Sequence, residues 1–513
     1  MIAHLRSWQQ SLQAFSHPRV VTMLFYGIAA GLPLLLIFSS LSLWLREAGV
    51  ERAAVTYFSW AALGYSFKFI WAPLVDVIPI PLLTRTLGRR RAWLLLSQLM
   101  IVLAIVLMAM IDPASQGLTL MALAAVLLGF SAATQDVVID AYRIESAGPD
   151  LQAMMSASYI AGYRIGMLLA GAGALYLASL FGSTADDYSY DAWQLTYIAM
   201  AGLMLIGIIT TLVIKEPEVN RGETSQRAAD YLGLFFTFVV GVSGFIGFFA
   251  ASGDLVIQLK TILTGWVYNP ALASVLIEML RFILATLVAV LLAKLCLGFD
   301  WVNRDLLARS YVEPVQDFFR RYGWSLAWLL LALVGLYRIS DIVLGVIANV
   351  FYQDMGFTKP QIATVVKTFG LLMTLVGGFL GGILSMRFGV MRILLLGAIL
   401  SSATNLLFMM LAGMGNEVWM LYVVISADNL SAGLATAAFV AFLSSLTNIS
   451  FTAVQYAIFS SLMTLLPKVL GGYSGSMVES IGYQGFFLST ALMGLPVLLL
   501  VILAAKRFNL EKS

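Results

Sequence analysis

Runs of about 20 apolar residues, separated by short polar turns, recur along nearly the whole chain, and each is long enough to cross a bilayer as a helix. Six fall at roughly 19 to 44, 53 to 75, 91 to 111, 117 to 143, 150 to 181 and 191 to 214. After the polar stretch KEPEVNRGETSQR at 215 to 227, two more lie near 231 to 253 and 268 to 298. A connector with Arg304, Arg309, Arg320 and Arg321 follows, read as a solvated interfacial helix. Six further runs lie at 325 to 350, 361 to 386, 391 to 413, 416 to 445, 449 to 470 and 483 to 505. The pattern predicts an all-α polytopic membrane protein of fourteen spans, grouped six, two, six. Its expected domains are a six-helix bundle over 1–227, two additional transmembrane helices over 228–300, a cytoplasmic connector over 301–324 and a second six-helix bundle over 325–513.

Composition excludes a water-soluble domain of this size: of 513 residues, 60% are hydrophobic and 11% charged, with a mean hydropathy of +0.91. Short cytoplasmic loops hold the excess of Lys and Arg in such proteins. An N-terminus inside puts 20 of the 30 basic residues on the cytoplasmic side, 5 outside (Arg46, Arg52, Lys260, Lys359, Lys468) and 5 within spans (Lys68, Arg164, Arg281, Arg338, Lys367). Both termini are therefore expected in the cytoplasm. The opening residues, with Arg6 and Arg19 flanking a mixed segment, lack a secretory cleavage pattern, so the first apolar run is expected to remain as a span. The single cysteine, Cys296, excludes an intramolecular disulfide and reads as a small buried apolar residue. Both histidines, His4 and His17, precede the first span, so protons moved at mid-membrane depth would ride on carboxylates. No metal, cofactor or nucleic-acid partner is expected; the expected partners are the lipid bilayer, protons and a small molecule, with the chain a monomer.

Charges inside spans are the functional candidates, because an ionised group in hydrocarbon is costly. In GFSAATQDVVIDAYRIE at 129 to 145, Asp136, Asp140 and Arg143 are spaced by four and three and share one helix face, with Gln135 beside them. Helical rise places Asp136 about 28 Å from the outer end of its span. Asp136 reads either as a proton-coupling or substrate group or as half of a structural ion pair. Asp140 reads as a structural gate that holds Arg89, Arg90 and Arg91 at the start of the third span. Lys68, within YSFKFIWAP, could meet an anionic substrate or pair with Asp136. Arg164 lies near mid-depth beside Tyr159 and Tyr163, and a guanidinium can grip a carboxylate through two parallel hydrogen bonds. The glycines Gly162, Gly166, Gly171 and Gly173 read as close helix packing. In the later half, Arg338 and Asp341, with Tyr337 adjacent, read as a substrate and proton site or as a self-neutralising pair. Asp428 has no basic neighbour in sequence and is a candidate proton carrier. Lys367, Gln455 and Glu479 lie nearer the outer face, and Glu278 with Arg281 reads as a structural ion pair.

Two six-helix groups match the major facilitator plan, whose halves are related by an axis along the membrane normal. The loop PLVDVIPIPLLTRTLGRRRAW after the second span resembles the short cytoplasmic motif of major facilitators, with Leu74, Asp76, Gly88 and Arg89 to Arg91 at its key places and an inserted proline-rich stretch. Its later counterpart, GGILSMRFGVMR, has Met386 where an Asp is expected. Five stretches together resemble the AmpG muropeptide permease family of major facilitators: GLP at 31 to 33, FKFIWAPLVD at 67 to 76, GRRRAW at 88 to 93, SAATQDVVIDA at 131 to 141 and GYRIGM at 162 to 167. The match is dense over the first five spans. It implies proton-driven import of GlcNAc-anhydroMurNAc and its peptide-linked forms across the bacterial inner membrane, hence a part in peptidoglycan recycling and β-lactamase induction. It also implies the extra helix pair. Related acetyl-CoA transporters and siderophore permeases keep other anionic ligands open.

No GxxxxGK[ST] run is present, so a gradient rather than ATP is the expected energy source. A membrane enzyme, such as a glycan or lipid transferase using Asp136 and Asp140 with a divalent metal, is the competing class, against which the loops are short. A sensor without transport is a third.

Overall fold

The fold comes from a computed structural model that describes residues 14–50, 65, 67–115, 117–184, 187–218, 227–267, 270–358, 361–471 and 474–511. The expected second span is therefore outside the described residues as far as position 64, as are His4, Arg6, Arg52, Arg221, Lys359 and Lys512. Twelve helices among the described residues are long and apolar enough to cross a membrane. The expected run at 449 to 470 is helical over Thr452–Gly471 and is not among those twelve.

By compactness the chain divides into two units, one of Met1–Val75, Pro79–Asn220 and Phe318–Ser513, the other of Asp76–Ile78 and Arg221–Asp317. In the first unit the early half consists of α1 (Pro18–Ile37), α2 (Ser39–Glu47), α3 (Arg89–Ala109), α4 (Leu118–Ser146), α5 (Pro149–Leu168), α6 (Tyr190–Leu203) and α7 (Leu205–Val213). The second unit holds α8 (Ala228–Ala251), α9 (Gly253–Val267) and α10 (Pro270–Gly298). Within it Glu278 binds both Lys260 at 2.6 Å and Arg281 at 3.4 Å, and Arg281 also donates to the Ser252 hydroxyl at 3.0 Å. The pairing expected of Glu278 and Arg281 thus extends to a third charge. The late half consists of α11 (Glu313–Leu336), α12 (Ile339–Asp354), α13 (Gly370–Phe388), α14 (Val390–Met414), α15 (Val418–Leu446), α16 (Thr452–Gly471) and α17 (Ser474–Glu511), with α11 kinked at Gly323 (φ 66°) and α17 at Gly482 (φ 69°).

Small residues set the tightest seams, because in lipid helix association depends on close contact rather than on hydrophobic burial. A Cβ added at Gly27, Gly31, Gly162 or Gly166 would run into the backbone of the facing helix, so α1 and α5 touch nearly main chain to main chain. Gly377, Gly381 and Gly433 give α13 and α15 the same seam in the late half. The two halves share a second local feature. Gly88 and Gly389, in the repeated basic loops, adopt φ of 88° and 91° directly before α3 and α14, a left-handed turn that glycine takes without strain.

The first helix of each half is broken midway. Phe38 (φ −94°, ψ −83°) separates α1 from α2, and Tyr337 with Arg338 separates α11 from α12. Such interruptions free backbone polar groups, which a membrane protein tolerates only against protein or a wet cavity. Where α4 ends and α5 begins, the halves meet: α5 packs on α13 and α15, and α16 packs on α4. This is called the basic end below, since Arg89 to Arg91 lie there.

Candidate functional site

On α4, Asp136, Asp140 and Arg143 do project from one face, as their spacing requires. Tyr159 donates to Asp136 at 3.3 Å. Lys68 is buried on the turn Lys68–Ile70, and its ammonium lies 3.9 Å from Asp140, so its ion-pair partner is Asp140 and not Asp136. Asp140 also accepts from Arg143 at 3.3 Å. The expected hold of Asp140 on Arg89 to Arg91 is therefore corrected: its carboxylate is taken by Lys68 and Arg143. Arg90 is bound instead by Glu145, one turn further along α4, through Nε at 3.0 Å and Nη2 at 2.5 Å. Arg91 donates to the carbonyls of Thr211 and Leu212 at 2.9 and 2.7 Å. Arg89 is half-buried at the first position of α3, and Asp76 is buried in the short helix Ala72–Val77.

Glu216, beyond the end of α7, accepts from the backbone N–H of Arg90 at 2.8 Å and of Arg91 at 3.0 Å. It supplies the N-cap that Gly88 lacks and sets a negative charge on the positive end of α3. Burial raises its pKa above the ordinary 4.5, against the lowering effect of those two N–H groups and of Arg90.

In the late half Arg338 and Asp341 form an ion pair at 3.9 Å, and Ser401 donates to Asp341. Asp428 accepts from Thr404 at 3.4 Å and lies within electrostatic reach of both Asp341 and Arg338. The acid that looked isolated in sequence thus shares a polar cluster drawn from α12, α14 and α15. Arg164 is exposed although it sits mid-helix, and it forms no hydrogen bond or ion pair among the described residues. The charge that acts on it most is Arg338 of the other half. Two guanidiniums, one from each half, therefore lie within electrostatic reach of each other, while Tyr163 is half-buried beside Tyr159 at 6.1 Å. Tyr337 and Gln135 are both buried. The Tyr337 hydroxyl is spent on the Leu394 carbonyl at 2.9 Å and its ring stacks on Phe439 at 4.4 Å. Gln135 is wholly enclosed, with neither end of its amide partnered among the described residues. A groove of about 400 Å3 lined by Val21, Thr22, Phe25, Ile209, Thr210 and Val213 is largely apolar, and its two threonine hydroxyls donate to the carbonyls of Pro18 and Ile206.

The Major Facilitator Superfamily profile matches residues 19–301 and 318–512. A putative transporter, AmpG 4, of Rickettsia felis is 30% identical over 96% of this chain and 98% of its own length. The anhydromuropeptide permease of Escherichia coli K12 is 29% identical over 96% of this chain and 81% of its own. The chain belongs to the AmpG permease family of the major facilitators. Among solved structures, the proton:xylose symporter XylE superposes with a TM-score of 0.56 at 12% identity, over 96% of this chain and 95% of that one. The E. coli fucose:proton symporter FucP gives 0.57 at 11% identity, over 97% and 99%. These likenesses show the fold alone. This AmpG-family chain is a membrane transporter and not an enzyme, which sets aside the transferase reading.

What a reading of the sequence misses in this AmpG-family transporter is the partners that Arg143 finds. Arg143 is fully buried and crosses between halves: its Nη1 donates to Ser444 of α15 at 2.7 Å, and the guanidinium lies 5.1 Å from the Tyr456 ring of α16. Gln152 and Ser156 of α5 accept from it at 3.0 and 3.3 Å. Ser444 lies 301 residues further along the chain, and nothing in its local sequence marks it as a partner for a buried cation.

Proposed function

We propose that this transporter imports anionic sugar peptides, GlcNAc-anhydroMurNAc and its peptide-linked forms, across the bacterial inner membrane by alternating access coupled to protons. It works as a monomer of fourteen spans with both termini cytoplasmic and with the domain limits expected from the sequence. The observation that supports the ligand class is Arg164: an exposed guanidinium at mid-span, unpartnered among the described residues, with Arg338 in reach across the halves. A ligand carboxylate between them would relieve their repulsion and take bidentate hydrogen bonds. The E. coli relative, named an anhydromuropeptide permease, supports the choice among anions. Asp136, Asp341 and Asp428 are the carboxylates suited to carry the proton, with Lys68 and Tyr163 beside the ligand. The excess of basic residues on one side supports a cytoplasmic basic end. A siderophore or acetyl-CoA is the alternative cargo.

The test is uptake into sealed vesicles of a disaccharide muropeptide, a free peptide, a siderophore and acetyl-CoA, with and without a pH gradient. Accumulation of the muropeptide alone, stimulated by an inward proton gradient, is expected. The variant Arg164→Ala should lose uptake while remaining inserted, and Arg164→Lys should recover only part of it, since an ammonium lacks the planar fork. Normal uptake by Arg164→Ala, or uptake of a ligand without an anionic group, would overturn the reading.

A further inference from the structure

Along α4, Asp136, Asp140 and Arg143 mark out about 10 Å of helix running toward the basic end. Asp140 is shared by two cations, with Oδ2 3.9 Å from the Lys68 ammonium and Oδ1 3.3 Å from Arg143 Nη2. The same guanidinium reaches Ser444 and lies over Tyr456, both of the other half. Its remaining partners, Asp140, Gln152 and Ser156, belong to its own half. If the halves separate at this end, Arg143 loses Ser444 and Tyr456 but keeps a carboxylate, an amide and a hydroxyl, so the closure can break without stranding a buried charge.

We infer that Arg143 is the latch that closes the basic end and that Asp140 couples it to the ligand site proposed above, because Lys68 and Arg143 compete for one carboxylate. An anion that draws Lys68 away leaves the Asp140 charge undivided on Arg143. The guanidinium is then pulled toward α4 and its reach to Ser444 weakens. Asp136, one turn away and bonded to Tyr159, lies within electrostatic reach of the same ammonium. The inference rests on alternating access but not on the identity of the cargo. Asp140 and Arg143 act here as positioning residues, not as ligand contacts.

The test needs no ligand. Ala157 is buried against Gly382 of the other half at the same closure. With Cys296→Ser removing the single native thiol, Ala157→Cys becomes a reporter whose alkylation by a soluble maleimide requires the closure to open. Measured on intact protein in detergent, Ser444→Ala should raise the alkylation rate roughly tenfold, as loss of a hydrogen bond to a charged group implies. Lys68→Gln, which mimics withdrawal of the ammonium, should raise it severalfold, and Lys68→Met serves if the Gln variant is not monodisperse. The decisive readout is the double variant: Lys68→Gln with Ser444→Ala should label no faster than Ser444→Ala alone, because both act through one bond. Unchanged labelling in Ser444→Ala would overturn the latch. Unchanged labelling in the Lys68 variants, or effects that multiply in the double variant, would overturn the coupling.

Discussion

Removing the Glu145 charge should damage this protein more than any change at a surface ion pair. Arg90 and Glu145 are 1% and 2% exposed and joined by two parallel bonds, so both charges have given up water for each other. An exposed pair of the same kind contributes about 0 to 1 kcal/mol. Breaking a buried pair from one side is different in kind, because the survivor stays buried with its bidentate counter-charge gone, at a cost of about 3 to 5 kcal/mol. Glu145→Gln keeps the shape and removes only the charge, so its loss of stability measures that cost. Replacing both partners by apolar residues, Arg90→Met with Glu145→Leu, removes the desolvation burden together with the attraction and is expected to be near neutral. Thermal unfolding of purified protein in detergent should therefore rank wild type and the double variant close together, with Glu145→Gln well below both. The reasoning fails if the double variant is as unstable as the single one, or if Glu145→Gln unfolds at the wild-type temperature.

Gly162→Ala places a methyl group against the Leu24 carbonyl, and the forced separation of α1 from α5 should cost about 1 to 3 kcal/mol. Gly202→Ala, where the added carbon meets open space, is the control and should be neutral or slightly stabilising in the same unfolding assay. Glu216 supplies a pH dependence with a defined sign: its folded pKa lies above the ordinary 4.5, so the charged form opposes folding above the folded pKa, and this penalty fades as pH falls toward the unfolded value. Wild type should therefore gain thermal stability relative to Glu216→Gln as pH is lowered from 7 toward 4.5, and a gain in the opposite direction would contradict the assignment.

Hydrophobic periodicity alone determined that this chain is a bundle of membrane helices in repeated groups, since lipid leaves a backbone few other ways to satisfy its polar groups. It also marked the charges worth following, because ionised residues within apolar runs are rare and expensive. Local spacing went further on α4, where intervals of four and three place Asp136, Asp140 and Arg143 on one face. What local spacing could not supply was the partner of each charge. Asp140 faces Lys68 and Arg143 rather than Arg89 to Arg91, Arg90 is held by Glu145, and Asp428 shares a cluster with Asp341. Each of those pairings depends on the rotation and depth of one helix against another, which glycine seams such as Gly27 with Gly162 set to within a side chain's width. Arg143 shows the limit most plainly. Its contact with Ser444 joins two halves whose sequences carry no mark of each other, so only the assembled bundle decides that a buried arginine closes one end of it.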